Sequence, residues 1–376
     1  MIDSIYINNF RLFKELTINK LDTVNLIVGK NNSGKSCLLE AIRVYGTNAS
    51  PKVLFDLIRD RGQDWESNMQ QKQNQSVQEA ENPLRYLFYG YRFPEIGTNS
   101  IEIGSSENIK DRLKLRMRAY KLIETEESRI FTRIDNENLK ENGLDDAELV
   151  IEIEEGNKVK PVRLNRDPRL YQRTASYRAL PDGDMKINIQ IVPTKHIDDE
   201  KVADLWDNIN IHPNLRKEVF EGLKLIDEKI QEVVLVGRRG YINPILIYDD
   251  TDERIPLKSM GDGMTHLFHI ILALVNSRGG LLLIDEFENG LHYSVQPQIW
   301  NLIFQLAKKL EVQVFATTHS WDCVNAFQKM IQQHKLEGML IHLGHSIKGS
   351  DRGKIIATEY DKDELILATQ ADLEVR

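Results

Sequence analysis

The 376-residue sequence contains only two cysteines, Cys37 and Cys323. Two cysteines are too few for a disulfide framework, so the sequence predicts a protein of the reducing cytoplasm. The chain also lacks an apolar run of about 18 residues, the length of a membrane-spanning helix, and it lacks a basic and then apolar leader. We therefore expect neither secretion nor insertion into a membrane.

An excess of basic charge is missing as well. Acidic residues number 57 against 49 lysines and arginines, which gives a formal net charge of −8. This balance argues against a protein whose whole surface binds nucleic acid, although a local basic stripe remains compatible with it. Hydrophobic residues make up 41% of the chain, an ordinary share for a globular protein, and the length suggests two or three lobes.

The stretch 29–36 fits the phosphate-binding pattern G-x-x-x-x-G-K-[ST] at every fixed position. An apolar run at 24–28 predicts a buried strand before it, and residues 37–42 predict a helix after it, which is the context the motif requires. Backbone N–H groups of such a loop, together with the start of the helix, bind phosphate. The predicted contacts with ATP are Gly29, Asn31, Asn32, Ser33, Gly34, Lys35, Ser36 and Cys37. Lys35 is expected to reach the β- and γ-phosphates as a catalytic cation, and Ser36 to ligate magnesium (Mg²⁺).

Two further strands are predicted to end at the same site. The apolar run 281–284 is followed by Asp285 and Glu286, the pattern of a Walker B strand. Asp285 is expected to hold Mg²⁺ opposite the P-loop serine, and Glu286 to orient and deprotonate the attacking water. The apolar run 312–316 leads to His319, which would lie beside the γ-phosphate if this strand neighbours the P-loop strand.

A second phosphate-binding segment is predicted before the apolar helix 267–275. Ser259 and Gly261 have the spacing of a helix start that binds anions through a capping hydroxyl and bare amides, and Gly263 completes the segment. The alternative is an ordinary turn and helix cap. Arg11 falls in the turn between two predicted amino-terminal strands, where it is either a surface arginine or a second cation that reaches the nucleotide.

The middle of the chain offers less specific patterns. A polar stretch with a glutamine-rich run at 70–76 indicates an exposed segment, and alternating residues between 100 and 192 predict an antiparallel β lobe. Helical periodicity follows from 196 to about 234. Basic residues share one face of a predicted strand and recur from 158 to 178, which suits either nucleic-acid contact or a solvated strand face and basic loop. These residues are Lys114, Arg116, Arg118, Lys160, Arg163, Arg166, Arg169 and Arg173.

In this order, the motifs resemble the ABC-type ATPases of the SMC, RecF and OLD group. The strings at 7–11, 259–264 and 284–294 look most like its bacterial AAA-labelled members, many of which serve in anti-phage systems beside a separately encoded effector. The likeness covers roughly 1–45 and 190–376. It implies ATP and Mg²⁺ as cofactors and a head-to-tail homodimer, in which each ATP lies between the P-loop of one subunit and the signature segment 259–263 of the other. Residues 289–292 match the D-loop of that group.

The predicted fold is therefore α/β: an ABC-ATPase head with a parallel P-loop sheet, an antiparallel β lobe and a helical signature lobe. Its predicted parts are the first part of the ATPase core at 1–50, the β lobe with a polar insertion at 51–195, the helical lobe at 196–260, and the second part of the core at 261–376. Two features depart from the group. The glutamine of its glutamine loop is missing between 84 and 97, and fewer than 60 residues follow His319, so we expect no TOPRIM nuclease domain.

The leading functional prediction is a soluble ATPase whose ATP-dependent dimerisation gates a partner effector, such as a nuclease, in anti-phage defence. A RecF-like DNA-repair or DNA-binding ATPase is the alternative, and the nucleotide-binding subunit of a transporter is a third hypothesis. Salt-dependent DNA binding would favour the second, and a membrane-embedded partner subunit would favour the third.

Overall fold

The computed structural model describes residues 1–63, 83–124, 129–134, 147–156, 158–163, 186–195, 197–224, 227–238, 241–248, 254–334 and 337–365. The glutamine-rich run 70–76 and the basic residues Arg166, Arg169 and Arg173 lie outside the described residues.

The described residues form the following strands and helices. The strands are β1 (Ile5–Phe10), β2 (Phe13–Ile18), β3 (Val24–Val28), β4 (Ile101–Gly104), β5 (Leu113–Glu124), β6 (Arg129–Arg133), β7 (Ala147–Glu155), β8 (Lys158–Arg163), β9 (Ile189–Val192), β10 (Ile230–Arg238), β11 (Tyr241–Tyr248), β12 (Arg254–Pro256), β13 (Leu281–Ile284), β14 (Gln313–Thr317), β15 (Gly338–His345) and β16 (Ile355–Tyr360). The helices are α1 (Lys35–Gly46), α2 (Pro51–Arg59), α3 (Asp199–Asn210), α4 (Pro213–Lys224), α5 (Asp262–Asn276), α6 (Gln296–Leu310) and α7 (Trp321–His334).

A six-stranded sheet of order β16-β15-β3-β14-β13-β9 forms the centre of the molecule. Its strands are parallel except for β16, which pairs antiparallel with β15. Strands β3, β13 and β14 are completely buried, as expected for apolar strands covered on both faces. The α/β class is thus confirmed, and the P-loop strand and both site-bearing strands end at one edge of the sheet.

Successive residues of the central strands enter two different hydrophobic clusters. Leu282 and Ile284 pack with α3 to α7 on one face of the sheet. Leu281 and Leu283 pack on the other face with α1, α2 and an antiparallel sheet. This alternation follows from the period of two along a strand. Helix α1 packs against both sheets in the second cluster, so it lies between them.

The antiparallel sheet has the order β2-β1-β4-β5-β7-β8, with β6 also paired to β5. It includes β1 and β2, so it extends beyond the predicted β lobe of 51–195 into the first 50 residues. Conversely, residues 187–191 were expected in this lobe, and that expectation is wrong. Strand β9 lies there, and it pairs in parallel with β13 at the edge of the central sheet.

The predicted helical lobe contains helices and strands. Helices α3 and α4 account for the periodicity at its start, but Ile230 begins strand β10 and does not continue a helix. Strands β10, β11 and β12 form a separate three-stranded sheet that leads to α5. None of the helices in the described part of the chain has the length and apolar character needed to cross a membrane.

Candidate active site

The P-loop joins β3 to α1 through backbone conformations that favour glycine. Gly34 has φ 94° and caps α1, and a Cβ atom at this position would lie 2.8 Å from the Phe13 ring. Asn32 adopts the left-handed region with φ 63°, which asparagine tolerates better than most residues. The first turn of α1 carries no acidic side chain, so the positive end of the helix dipole is free to attract phosphate.

Lys35 lies folded into this loop. Its Nζ donates hydrogen bonds to the carbonyl oxygens of Gly29 and Lys30 at 2.7 and 3.1 Å, and the residue is 5% exposed. Burial lowers the pKa of the Lys35 ammonium, and nearby carboxylates, led by Asp285, partly oppose this shift. The cation therefore faces the acidic end of β13.

The other predicted loop residues differ in exposure. Asn31 and Asn32 are exposed, whereas the Ser33 hydroxyl is buried and has no hydrogen-bond partner among the described residues. A buried hydroxyl without a partner costs free energy, and a phosphate oxygen would satisfy it. The Cys37 thiol is buried and accepts a hydrogen bond from Arg61 at 3.4 Å, so a contact with nucleotide would come from its backbone N–H.

Ser36 and Asp285 meet where the P-loop helix begins and β13 ends. The serine Oγ lies 3.1 and 3.2 Å from the two carboxylate oxygens of Asp285. Hydroxyl and carboxylate oxygens are hard ligands of the kind Mg²⁺ prefers, with phosphate and water completing its shell. In the described part of the chain no three His, Cys, Asp or Glu residues cluster as metal ligands. The Ser36 hydroxyl and the Asp285 carboxylate fit Mg²⁺ that is bound together with the phosphates of a nucleotide.

Glu286 follows with a backbone φ of 54°, in the left-handed region. Its N–H donates to Thr317 Oγ1 at 2.9 Å, and the next N–H, of Phe287, donates to the Thr317 carbonyl at the same distance. Non-glycine residues in this region cost on the order of 1 kcal/mol or more, so the two bonds hold a conformation that the chain would not adopt freely.

His319 is exposed two residues after β14. Strand β14 pairs in parallel with the P-loop strand β3. This pairing is the condition under which His319 was predicted to lie beside the γ-phosphate. The backbone N–H of His319 donates to Glu288 Oε1 at 2.7 Å. Glu288 thus ties the end of β14 to the segment after β13.

Arg11 is not a surface residue, because it is only 1% exposed. Its Nε pairs with Glu40 at 3.0 Å, and its terminal nitrogens donate to Gln63 Oε1 and to the carbonyl oxygens of Tyr86 and Leu57. The guanidinium is thus bonded to protein groups from α1, α2 and the segment before β4. This geometry gives no support to the prediction that Arg11 reaches the nucleotide.

The signature segment 259–263 lies at the start of α5. Ser259 and Gly261 are exposed, and Gly261 has a φ of 92°. Gly263 packs against the D-loop, residues 289–292, so closely that a Cβ atom on it would lie 2.2 Å from the Gly290 carbonyl oxygen. The segment that would bind phosphate and the D-loop are therefore in backbone contact within one subunit.

The basic face predicted on β5 is neutralised by glutamates on neighbouring strands. The three ion pairs are Lys114–Glu102 at 4.0 Å, Arg116–Glu154 at 3.2 Å and Arg118–Glu152 at 3.4 Å. Cations already paired across a sheet attract a phosphodiester backbone less strongly than free ones. This strand therefore gives the nucleic-acid alternative no support.

Three residues of the site were not among the predicted site residues. Thr317 Oγ1 and Thr194 Oγ1 donate to the two oxygens of Asp285 at 2.7 and 3.1 Å, and Glu288 anchors His319. Thr317 and Glu288 follow or end predicted strands, so the end-of-strand rule could have found them. Thr194 follows β9, which the alternating pattern assigned to another sheet.

The chain matches a known sequence family and resembles two named proteins. The sequence family described as "AAA domain, putative AbiEii toxin, Type IV TA system" matches residues 24–322. The chain is similar to an "ATP/GTP phosphatase" of Helicobacter pylori (strain ATCC 700392 / 26695), with 26% identity over 357 residues that cover 89% of each protein. It is also 30% identical over 119 residues to "Uncharacterized protein MJECL10" of Methanocaldococcus jannaschii, covering 30% of this chain and 54% of that protein.

Solved structures that resemble this chain include two SMC heads. One is an SMC head bound to the C-winged helix domain of ScpA, with a TM-score of 0.48, 11% identity, and coverage of 97% of this chain and 99% of that one. The other is the SMC head domain from Thermotoga maritima, with a TM-score of 0.43, 12% identity, and coverage of 95% and 98%.

Proposed function

The chain belongs to the AAA-domain family whose description names a putative AbiEii toxin. On that premise we propose that it is an enzyme that binds and hydrolyses ATP. The observation that carries the proposal is the contact between Ser36 Oγ and the Asp285 carboxylate, which joins the phosphate loop to the acidic strand end. The relative named ATP/GTP phosphatase supports the same reaction class.

In the proposed mechanism the P-loop amides bind the phosphates and Lys35 neutralises charge on the β- and γ-phosphates. Mg²⁺, held through Ser36 and Asp285, would supply further charge neutralisation at the transferred phosphoryl group. Glu286 takes the proton of the attacking water as general base, and His319 contacts the γ-phosphate. Glu286 thus acts on the attacking water, and Lys35 acts on the phosphates between which the bond breaks.

Phosphate release from ATP tests this proposal directly. We expect the wild-type protein with ATP and Mg²⁺ to release phosphate, and Lys35→Ala to lose both nucleotide binding and turnover, because the change removes the buried cation from the loop. Lys52→Ala, at a position outside the loop on α2, is the matched control and should retain activity. A Lys35→Ala protein that binds and hydrolyses ATP like the wild type would contradict the assignment.

We further propose that two copies of the chain bury two ATP molecules between the P-loop of one and the signature segment of the other. The support is that Ser259 and Gly261 are exposed, and that Gly261, the residue at the N-cap of α5, leaves the first amides of the helix without a side-chain cap. Each copy would then supply the P-loop of one nucleotide site and the signature segment of the other.

The proposed output of this dimer is the gating of a separately encoded effector, such as a nuclease, in defence against phage. The resemblance of the motifs supports this step. Purified Glu286→Gln protein, used as bait with the products of adjacent genes, should retain one of them only when ATP is present. Retention that does not depend on ATP would argue against gating by the nucleotide.

A further inference from the structure

Thr194 lies beside the acidic end of β13, two residues after the edge strand β9. Its hydroxyl donates to Asp285 Oδ2 at 3.1 Å, and its backbone carbonyl accepts a hydrogen bond from Asn289 Nδ2 in the D-loop at 2.7 Å. One half-buried residue therefore contacts both the carboxylate proposed to hold Mg²⁺ and the loop that follows it.

The Asp285 carboxylate is held from both sides. Thr317, at the end of β14, donates to Oδ1 at 2.7 Å, and Thr194, after β9, donates to Oδ2. Strands β14 and β9 are the two neighbours of β13, so a hydroxyl from each flanking strand fixes one carboxylate oxygen. The Ser36 hydroxyl, which contacts both oxygens, would turn to the metal when Mg²⁺ binds, and the two threonines would then remain as the donors that set the rotation of the carboxylate.

We infer that Thr194 is a positioning residue of the proposed ATPase: it orients Asp285 for Mg²⁺ and couples that carboxylate to the D-loop. The inference rests on the proposed function. A threonine suits the task because its branched Cβ restricts χ1 and keeps the hydroxyl in one direction. Groups that orient a metal ligand in this way typically contribute 10- to 100-fold to metal affinity.

The experiment measures metal affinity separately from turnover. Mn²⁺, a paramagnetic substitute for Mg²⁺, is titrated into the purified protein with adenylyl imidodiphosphate and followed by electron paramagnetic resonance. We expect Thr194→Val to raise the Kd for Mn²⁺ about 10-fold, and Thr194→Ser, which keeps the hydroxyl, to restore most of that loss. The thermal unfolding midpoint without nucleotide should stay near the wild-type value, because the change removes only one half-buried hydroxyl.

Thr358→Val is the matched control, since Thr358 is exposed on β16, at the edge of the central sheet opposite β9. It should bind Mn²⁺ like the wild type. Thr194→Ala removes the same hydroxyl with a smaller side chain, and it gives the same measurement if the valine disturbs folding.

The outcomes separate this inference from the proposed function. Two outcomes would overturn the role of Thr194 alone. One is a wild-type Kd for Mn²⁺ in both Thr194→Val and Thr194→Ala, and the other is a Kd in Thr194→Ser that is as high as in Thr194→Val. A wild-type protein that binds no Mn²⁺ with the nucleotide analogue would overturn the proposed function, and the inference with it.

Discussion

At the scale of single residues, the backbone of Glu286 is the most informative feature of the site. A glutamate with φ 54° is unusual, and here Thr317 holds it through both its hydroxyl and its carbonyl oxygen. Conformations of this kind persist only where the surrounding structure enforces them, and they concentrate at functional sites. The enforced turn directs the chain away from β13 immediately after the proposed metal ligand, Asp285.

We expect Glu286→Gln to bind ATP with near wild-type affinity and to lower turnover by ~10²–10⁴, the usual contribution of a general base. The amide keeps the size of the side chain but cannot accept the proton of the water. Nucleotide titration and phosphate release measure the two effects separately. Glu200→Gln, at an exposed position on α3, is the control, and wild-type turnover in Glu286→Gln would exclude Glu286 as the base.

We expect Arg11 to stabilise the folded protein. Arg11→Met should lower the free energy of unfolding by about 3 kcal/mol, because it leaves part of the Glu40 carboxylate and several buried acceptors unpaired. Arg61 still pairs with Glu40 at 2.7 Å, which keeps the loss at the low end of the range for a broken buried pair.

Urea unfolding checks the Arg11 prediction, with Lys217→Met as the control. Lys217 forms a surface ion pair with Glu221 on α4, and losing it should cost less than about 1 kcal/mol. If Arg11→Met instead unfolds like the wild type and raises the KM for ATP at least tenfold, Arg11 reaches the nucleotide after all.

The residues of the P-loop and the two strand ends could be placed from the sequence because each motif is local. Lys35 and Ser36 stand at fixed spacing within one loop, and Asp285 follows a short apolar run that predicts a buried strand. Thr194 carries no such local pattern. Its relation to Asp285 depends on which strand neighbours β13, and that pairing joins segments about 90 residues apart.

At the scale of elements, the contact between the start of α5 and the D-loop links two parts of the proposed dimer interface. Gly263 and Gly290 approach so closely that neither position has room for a side chain. The D-loop in turn is tied to Thr194 through Asn289. A displacement at the metal carboxylate would therefore reach the signature segment through three consecutive contacts.

We expect Gly263→Ala to lower turnover about 10- to 100-fold, because its Cβ would force the D-loop away from the signature segment and misplaced groups lose catalytic orientation. Binding of ATP by the isolated subunit should change little, since the P-loop is untouched. Gly237→Ala is the control, because a Cβ at Gly237 meets open space. Unchanged turnover in Gly263→Ala would show that this contact plays no part in hydrolysis.

The elements that were predicted wrongly share a physical cause. Strand β9 alternates because it lies at the edge of the central sheet, where three of its four residues are only partly buried, and an antiparallel strand gives the same pattern. Strand β10 was read as helix because the apolar spacing of α4 happens to continue to Ile230. Both errors concern edges and boundaries, whereas the central strands β3, β13 and β14 were predicted within about two residues.

At the scale of the whole molecule, the proposed nucleotide site is divided between two copies of the chain. The P-loop and the acidic end of β13 are assembled within one subunit, while the signature segment is exposed at the start of α5. If the γ-phosphate contacts the P-loop of one copy and the signature segment of the other, ATP binds the dimer more tightly than the monomer. By linkage, ATP must then favour dimerisation by the same factor.

We therefore expect Glu286→Gln with ATP and Mg²⁺ to form a stable dimer of about twice 43.5 kDa, because the variant binds ATP without consuming it. The same variant without nucleotide should scatter light as a monomer. Adding Ser259→Arg should keep the subunits apart even with ATP, since a large cation replaces the hydroxyl at the start of α5 and occupies the space of the phosphate. Lys258→Arg is the matched control, because it lengthens a neighbouring exposed side chain while retaining its charge.

The pair of variants decides between two causes of dimerisation. If exposed apolar side chains such as Met260 and Tyr293 drove association, the mass would not depend on nucleotide, and Ser259→Arg would weaken the dimer equally with and without ATP. If a shared phosphate drives it, the substitution acts only when ATP is present, because only then does the signature segment have a ligand to bind. A mass that is indifferent to ATP would therefore contradict the divided site, while leaving ATP binding by the single subunit intact.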